Sequence, residues 1–417
     1  MGQAPDNLPI LVEVARRMGE TFELGPLLET IEHAVRGALD AERATVFLYD
    51  PVKHELYSSI ATGTGELRFS AERGIVGEAV RTSKVITVPD AYADPRFNRD
   101  IDRQTGYKTR NLLTIPLRVP DGDVLGALQV LNKRAGDFTP NDELVAEALG
   151  SLTGIAIKRQ MLLDEAAEKQ RLERDLDLAR TIQRSQLPQQ NPSLPGYDVA
   201  GWNQPADRTG GDCYDFFALD ENRLAVMIAD ATGHGIGPAL IMTQCRAILR
   251  ALAGRDVDLT ALMTRVNSLL CDDLPDDRFV TMLFGVLDCA THTLRYVSAG
   301  HGPLLLVHGD DGRVEQLEAT CPLLGVMESM EMTAGEPLRL APGDLFAVVT
   351  DGFAEWSGPA GEQYGYDRLI AVLQNEPGLP CAEMIRRLYD DVRTFGAGEP
   401  QADDLTAILI KRTSDDR

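Results

Sequence analysis

Four aspartate motifs in the second half of the chain have the residue types and positions that metal-dependent chemistry needs. Each acid lies beside small residues at one end of an apolar run, where a strand would deliver its side chain to the edge of a sheet. Aspartates without a histidine or cysteine partner form the hard oxygen site that Mg²⁺ or Mn²⁺ prefers, and not a zinc site. Two such ions could hold a bridging water, lower its pKa and direct it at a phosphorus atom. The acids are Asp212, Asp230, Asp351 and the pair Asp403-Asp404.

Other interpretations of these residues stay open at this point. A single aspartate at a strand end is often an N-cap or a turn residue, although four motifs in one region favour a shared site. His234 and His301 each follow a glycine near the motifs, where a general acid could lie, but local packing or capping is the favoured interpretation. Cys213 is interpreted as a packing residue. No Ser-His-Asp set, P-loop or dinucleotide fingerprint competes for the catalytic role.

The surrounding sequence predicts two folded regions joined by a helix. In residues 44–132, short apolar runs punctuated by Pro, Gly and Asp predict an antiparallel sheet, and a helix with Pro140 in its first turn follows it. Residues 195–413 alternate strand-like runs with helical patterns, which predicts a mixed α/β or α+β catalytic domain. Residues 158–190 are charged, lack Gly and Pro until Pro188, and approach a heptad spacing. This segment is interpreted as a dimeric coiled-coil connector, with a solvated single helix as the alternative.

The composition limits the classes of function. The chain has 417 residues, with 41 Lys and Arg against 64 Asp and Glu, so its net charge is −23. This length predicts two or three domains, and an acidic chain without a basic patch is not expected to bind nucleic acid. The apolar runs are too short to span a membrane, and the N-terminus has neither a signal peptide nor a myristoylation pattern. Six cysteines without paired spacing indicate a reducing compartment, so we expect a cytoplasmic protein.

The third region resembles the PPM metallophosphatases of the bacterial SpoIIE/RsbU type. The resemblance runs from Leu176 to Ile410 and includes several motifs in the family's order. These motifs are residues 178–183 with 186–188, 205–217, 230–242, 298–301, 342–344, 350–352 with Glu355, and 403–406. The resemblance implies a β-sandwich flanked by helices. It also implies hydrolysis of phosphoserine or phosphothreonine in a protein, without a phosphoenzyme intermediate.

A centre of two metal ions, Mn²⁺ or Mg²⁺, follows from the same resemblance. The positions that match the family's ligands are Asp212, Asp230, Asp351, Asp403 (with Asp404 as its alternative) and the backbone carbonyl of Ala231. The usual substrate of this branch is a phosphorylated STAS-type anti-anti-sigma factor. That substrate is expected to come from another chain.

Residues 24–160 resemble a GAF domain, a small-ligand sensing fold with a central antiparallel sheet. Residues 132–143 reproduce the spacing of the NKFDE signature that recurs in cyclic-nucleotide GAF domains. Within it, Lys133 and Asp142 have opposite charges and could tie the last strand to the following helix. The signature is therefore interpreted as structural, and by itself it does not identify a ligand.

A second stretch, residues 89–111, is close to the segment that covers the pocket in nucleotide-binding GAF domains. The positions that match nucleotide contacts there are Asp102, Thr105 and Thr109, together with a backbone turn at Ile75 and Val76. The resemblance implies cAMP or cGMP as a possible ligand. Asn98 stands where those members often place an aromatic residue for stacking, so the choice of base stays open. Another small molecule, or a domain used only for dimerisation, is the alternative.

The sequence thus predicts four segments with different roles. They are an N-terminal helix (1–23), a GAF sensor domain (24–160), a helical linker (161–190) and a PPM phosphatase domain (191–417). The leading hypothesis is a homodimer, joined through the GAF and linker helices, in which the sensor regulates the phosphatase. One alternative is an inactive or weak ligand-binding protein with a phosphatase-like fold. A second is an enzyme that acts on a nucleotide or another small phosphoester.

Overall fold

The computed structural model describes residues 23–58, 67–119, 122–275 and 277–413, together with residues 12, 15 and 16. Most of the predicted N-terminal helix (1–23) therefore lies outside the described residues. The chain divides into two compact units, Met1–Arg171 and Leu172–Arg417. Within the described part, no helix combines the length and the apolar character that crossing a bilayer requires.

An antiparallel sheet of six strands, in the order β3-β2-β1-β6-β5-β4, forms the centre of the front unit. Its strands are β1 (Ala41–Asp50), β2 (Glu55–Ser58), β3 (Leu67–Ser70), β4 (Ile86–Val88), β5 (Leu112–Arg118) and β6 (Val124–Lys133). Its helices are α1 (Leu24–Ala38), α2 (Gly74–Thr82), α3 (Arg99–Thr105) and the first part of α4 (Pro140–Gln186). Because strand side chains alternate between faces, Val46 packs with α1 and α4, whereas Phe47 packs with Val76 and Val80 of α2.

Helix α4 is one continuous element of 47 residues, so the predicted helix after the sheet and the predicted linker are joined without a break. At its start, the Thr139 amide donates to Asp142 Oδ2 over 2.7 Å, and the Asp142 amide donates to Thr139 Oγ1 over 3.3 Å. Lys133 forms the predicted ion pair with Asp142. A Cβ at Gly154 would lie 2.5 Å from the Arg118 carbonyl oxygen, so glycine is what lets the helix pack this close to β5.

The rear unit is a sandwich of two five-stranded antiparallel sheets, in the orders β14-β11-β10-β9-β8 and β13-β12-β15-β16-β7. The strands of the first sheet are β8 (Asp212–Ala218), β9 (Arg223–Ala231), β10 (Val280–Asp288), β11 (Thr293–Ala299) and β14 (Leu338–Arg339). Those of the second are β7 (Tyr197–Gln204), β12 (Leu304–Val307), β13 (Val314–Leu317), β15 (Leu345–Val349) and β16 (Leu405–Arg412).

Helices cover both outer faces of this sandwich. Helices α5 (Ile236–Leu252) and α6 (Leu259–Asp273) pack on the first sheet, and α7 (Gly352–Glu355), α8 (Gly365–Asn375) and α9 (Cys381–Gly396) belong to the side of the second. Between the sheets, a third apolar cluster contains Ile228, Leu283, Phe346 and Ile408, all of them fully buried. The expected β-sandwich flanked by helices is confirmed, and so is the antiparallel sheet of the front domain.

Candidate active site

Two of the predicted acids face each other on neighbouring strands. Asp212 is the first residue of β8, and its Cα partner in the ladder is Asp230, near the end of β9. Directly opposed residues of an antiparallel pair project to the same face, with Cβ atoms roughly 5 Å apart. Asp212 is only 3% exposed, and its Oδ2 accepts hydrogen bonds of 2.7 Å from the hydroxyls of Thr350 and Thr406. The second sheet therefore fixes the orientation of an acid that belongs to the first.

The closing pair of aspartates divides into two different environments. Asp404 is 2% exposed, and its carboxylate accepts from the backbone amides of Ala206 (2.7 Å), Gly211 and Asp212 (3.3 Å). Asp403 is exposed, and its Oδ1 accepts from the next amide along the chain over 2.8 Å, the one hydrogen bond of its carboxylate among the described residues. Asp404 thus uses its oxygens to hold the loop in front of β8, whereas the carboxylate of Asp403 keeps acceptor capacity for another group.

The candidate acids lie close enough for their negative charges to raise one another's pKa values. Burial, followed by the charges of Asp230 and Asp404, raises the pKa of Asp212 well above its ordinary value. Burial and the charges of Asp351, Asp403 and Asp404 raise the pKa of Asp230 to about 7. The pKa of Asp351 is also raised, first by desolvation from the groups packed around its exposed side chain and then by the charge of Asp403. A group of carboxylates that resists ionisation in this way is stabilised by a cation of high charge.

The donor set fits divalent cations of the hard, oxygen-binding kind. In the part of the chain that the structure describes, no group of three or more His, Cys, Asp or Glu side chains is placed so that it could hold a metal ion. Mg²⁺ can bind through fewer protein ligands, because it keeps several waters and is usually bound through one or two carboxylates. Asp351 lies at the end of β15, is exposed, and leaves the cluster open to solvent on that side.

The predicted backbone ligand lies in a tightly packed turn. The Ala231 amide donates to the Gly211 carbonyl over 3.0 Å. A Cβ at Gly211 would lie 2.7 Å from the Ala231 carbonyl oxygen and 2.8 Å from that of Gly233. Glycine at 211 is therefore required for the loop to lie against the segment that carries Asp230.

The two histidines considered as general acids differ in exposure. His234 is exposed, and its Nδ1 lies 2.6 Å from Asp207 Oδ2. His301 is 4% exposed, its Nδ1 lies 2.9 Å from the Thr281 hydroxyl, and burial lowers its pKa to about 4. Its Nε2 has no hydrogen-bond partner among the described residues. These contacts agree with local packing for His301 and with local pairing for His234.

Several contacts at this site involve residues that the sequence did not single out for a role here. The Gln183 side chain of α4 donates to the Gly210 carbonyl over 2.7 Å and accepts from the Gly210 amide over 3.1 Å. Nearby, Arg208 Nη1 donates to Asp177 Oδ1 over 2.6 Å. Helix α4 is therefore hydrogen-bonded to the backbone of Gly210, two residues before Asp212. Gln183 belongs to the motif of residues 178–183, and this membership was the feature of the sequence that could have indicated its role.

In the front unit, four of the five predicted ligand residues line one pocket that is partly open to solvent. They are Ile75, Val76, Asp102 and Thr109; the side chain of Thr105 lies outside the described part. Asp102 accepts hydrogen bonds from the Thr109 hydroxyl (2.8 Å), the Thr109 amide (2.7 Å) and the Tyr92 hydroxyl (3.1 Å). Two predicted nucleotide contacts thus bind each other, and Asn98 caps α3 through the Asp100 amide.

Comparison with known proteins gives two family matches. Residues 220–413 match the family described as Stage II sporulation protein E (SpoIIE), and residues 23–157 match the GAF domain family. The first match contains Asp230, Ala231, Asp351, Asp403 and Asp404 and begins after Asp212.

Individual relatives and one solved structure are also similar to parts of the chain. Phosphoserine phosphatase RsbP of Bacillus subtilis is 26% identical over 243 residues, which cover 57% of this chain and 57% of RsbP. The probable 3',5'-cyclic phosphodiesterase pde-5 of Caenorhabditis elegans is 31% identical over 170 residues, 37% of this chain and 23% of the relative. The SiaA-PP2C domain of Pseudomonas aeruginosa shares the fold, with a TM-score of 0.52 and 24% identity over 60% of this chain and 100% of that domain. The chain spans less than two thirds of the length of these curated relatives.

Proposed function

We propose that this chain, which carries a GAF domain followed by a SpoIIE-type phosphatase domain, is a metal-dependent hydrolase of phosphoserine or phosphothreonine in another protein. The observation that carries the proposal is the opposed pair Asp212 and Asp230. Besides burial, the charge of Asp230 raises the pKa of Asp212, and the charges of Asp351 and Asp403 raise the pKa of Asp230. The match of residues 220–413 to the SpoIIE family and the similarity to a phosphoserine phosphatase support the same chemistry.

Two Mn²⁺ or Mg²⁺ ions would be held by Asp212, Asp230, Asp351, Asp403 and the Ala231 carbonyl. Such ions, when bound, supply a water of lowered pKa and stabilise the charge that develops on a phosphoryl group. Thr350 and Thr406 hold Asp212 in one orientation, which limits the reorganisation needed to bind a cation. The exposure of Asp351 and Asp403 leaves room for a substrate as large as a protein.

The activity is tested by Mn²⁺-dependent release of phosphate from p-nitrophenyl phosphate, from a phosphoserine peptide and from a phosphorylated STAS-domain protein. We expect all three to be hydrolysed, with the STAS protein preferred in kcat/KM, and EDTA to stop the reaction. A preference for free nucleotides would favour a small-molecule phosphatase. Metal binding without hydrolysis of any substrate would favour an inactive protein with this fold.

Asp403 rather than Asp404 is proposed as the metal ligand of the closing pair, because the amides of the 206–212 loop occupy the Asp404 carboxylate. Asp403→Asn should weaken Mn²⁺ binding by about tenfold or more and leave the melting temperature of the metal-free protein within about 2 °C. Asp404→Asn should instead lower that melting temperature, since an amide cannot accept from all three donors as a carboxylate does.

Titration calorimetry with Mn²⁺ and thermal unfolding separate the two roles. Equal loss of Mn²⁺ affinity in both variants, at unchanged stability, would contradict the assignment. Asp390→Asn, an exposed change on α9, serves as the control for the substitution itself.

The front domain is proposed to regulate the phosphatase after binding a small ligand, and a cyclic nucleotide is the first candidate. The pocket brings Arg73 and the start of α2 together with Asp102 and Thr109, and a cation beside backbone amides suits a cyclic phosphate. The similarity to a protein described as a probable 3',5'-cyclic phosphodiesterase supports this candidate.

Dimerisation through the exposed apolar residues of α4, among them Leu162 and Leu172, belongs to this proposal.

The contact between Gln183 and Gly210 gives this regulation a specific test. Gln183→Ala should lower kcat by up to about tenfold, because two hydrogen bonds that hold the loop before Asp212 are lost. The variant should also show a smaller change in kcat on addition of cAMP or cGMP than the wild type shows. Gln374→Ala, which removes a hydrogen bond to the Gly312 carbonyl elsewhere in the same unit, is the matched control. A nucleotide response of wild-type size in Gln183→Ala would contradict this route.

A further inference from the structure

One cationic side chain contacts the segment that follows the candidate ligands Asp230 and Ala231. This segment is joined to the loop before β10 by three hydrogen bonds between Thr232 and Phe279, of 2.8 to 3.1 Å. Beside them, Arg278 Nη1 donates to the Thr232 carbonyl over 2.5 Å. The guanidinium is therefore held against the backbone two residues beyond Asp230.

Among the residues that the structure describes, no carboxylate pairs with the charge of Arg278. A guanidinium has five N–H donors, and a single carbonyl occupies one of them. Within the described ranges, Arg278 forms no ion pair with a carboxylate, although its side chain is half-buried. Other arginines near the motifs are paired: Arg208 with Asp177, and both Arg246 and Arg250 with Asp215. A half-buried cation with unused donors is well suited to binding an anion.

The other cationic side chains described near the site are already engaged with protein groups. Residues 191–417 contain a single lysine, Lys411, whose ammonium donates to the carbonyls of Pro377 and Leu379. His234 is engaged with Asp207. The candidate metal ligands themselves are carboxylates, which repel the oxygens of a phosphomonoester.

The backbone beside Arg278 is shaped to leave room for its guanidinium. Gly233 has a φ of +86°, and a Cβ there would lie 2.8 Å from Arg278 Nη1. Any other residue at 233 would be strained and would also displace the guanidinium. The turn thus combines a conformation that favours glycine with the space that the arginine occupies.

We infer that Arg278 binds the non-bridging oxygens of the substrate's phosphoryl group and so selects phosphomonoester dianions. The planar guanidinium can present two parallel N–H donors to a phosphate, which a lysine cannot do. Its bond to the Thr232 carbonyl holds it against the residue that follows the candidate ligand Ala231 and limits the rotamer entropy lost on binding. This inference rests on the proposed phosphatase function and adds a substrate-binding residue to it.

The test compares the full-length wild type with Arg278→Lys and Arg278→Gln. We measure kcat and KM for p-nitrophenyl phosphate with saturating Mn²⁺, the inhibition constant of inorganic phosphate, and phosphate binding by calorimetry. Arg278→Gln should raise KM and the phosphate inhibition and dissociation constants by about ten- to a hundredfold, with Arg278→Lys in between. Mn²⁺ affinity and the melting temperature should stay close to wild type. Arg265→Gln, on the exposed face of α6, is the matched control.

Each other outcome has a definite meaning. Unchanged phosphate binding and KM in Arg278→Gln, in an active enzyme, would overturn the inference and leave the phosphatase function standing. A loss of Mn²⁺ affinity with phosphate binding preserved would also overturn it, because Arg278 would then only support the loop. If the wild type neither binds phosphate nor hydrolyses any substrate, it is the proposed function that fails.

Discussion

Asp230→Asn is expected to lower kcat/KM for phosphoester hydrolysis by roughly a thousandfold or more, and at the same time to stabilise the metal-free protein. Asp230 lies opposite Asp212 in the ladder, and its raised pKa registers the charges of Asp351 and Asp403. Removing one negative charge weakens the attraction of the cluster for two divalent cations. The same change relieves the repulsion among the remaining acids, so the folded state without metal gains stability.

The opposite signs of the two effects are what make this variant informative. A substitution that merely disrupted the fold would lower both activity and stability. Activity is followed with p-nitrophenyl phosphate over a range of Mn²⁺ concentrations, and stability by thermal unfolding in EDTA. Asp390→Asn, with the same chemical change on an exposed helix, should alter neither quantity. Retention of more than about a tenth of the wild-type kcat/KM would rule out Asp230 as a ligand of the catalytic ions.

The positions of the key acids were predictable because they depend on local patterns. An aspartate that ends an apolar run lies at the end of a strand whatever the rest of the chain does, and Asp230 and Asp351 follow that rule. The start of α4 was equally local, since Pro140 and the cap at Thr139 need only their neighbours. The antiparallel sheet and the sandwich followed from periodicity together with the family resemblance.

Contacts between distant parts of the chain were not predictable in the same way. Asp403 and Asp404 are adjacent, and nothing local distinguishes them; the difference comes from the amides of a loop some 190 residues earlier in the chain. The pairing of Asp102 with Thr109 likewise depends on how the segment over the pocket folds back. Arg278 is an ordinary loop arginine in the sequence, and only its contact with Thr232 places it beside the candidate ligands.

Without metal, the free energy of unfolding of the rear unit should fall as the pH rises from about 4 to about 7. The pKa of Asp230 is raised from 3.8 to about 7 in the folded state, mainly by burial and then by neighbouring aspartates. Between these values the folded chain holds a proton that the unfolded chain has already lost, so raising the pH favours unfolding. For Asp230 this loss is absent below about pH 4 and complete above about pH 7.

Divalent cations should reverse this trend, because they bind the ionised carboxylates in the place of protons. We expect Mn²⁺ to raise the melting temperature most at pH 7.5 and least at pH 5. If the full chain unfolds in more than one transition, the transition that Mn²⁺ shifts is assigned to the rear unit. Calorimetry in buffers of different ionisation enthalpy should detect proton release on Mn²⁺ binding near pH 6. In Asp230→Asn the slope of metal-free stability against pH should be shallower, since residue 230 no longer titrates and no longer raises the pKa of Asp212. A slope of wild-type size in that variant, or stability that rises with pH in EDTA, would contradict the coupling of these acids.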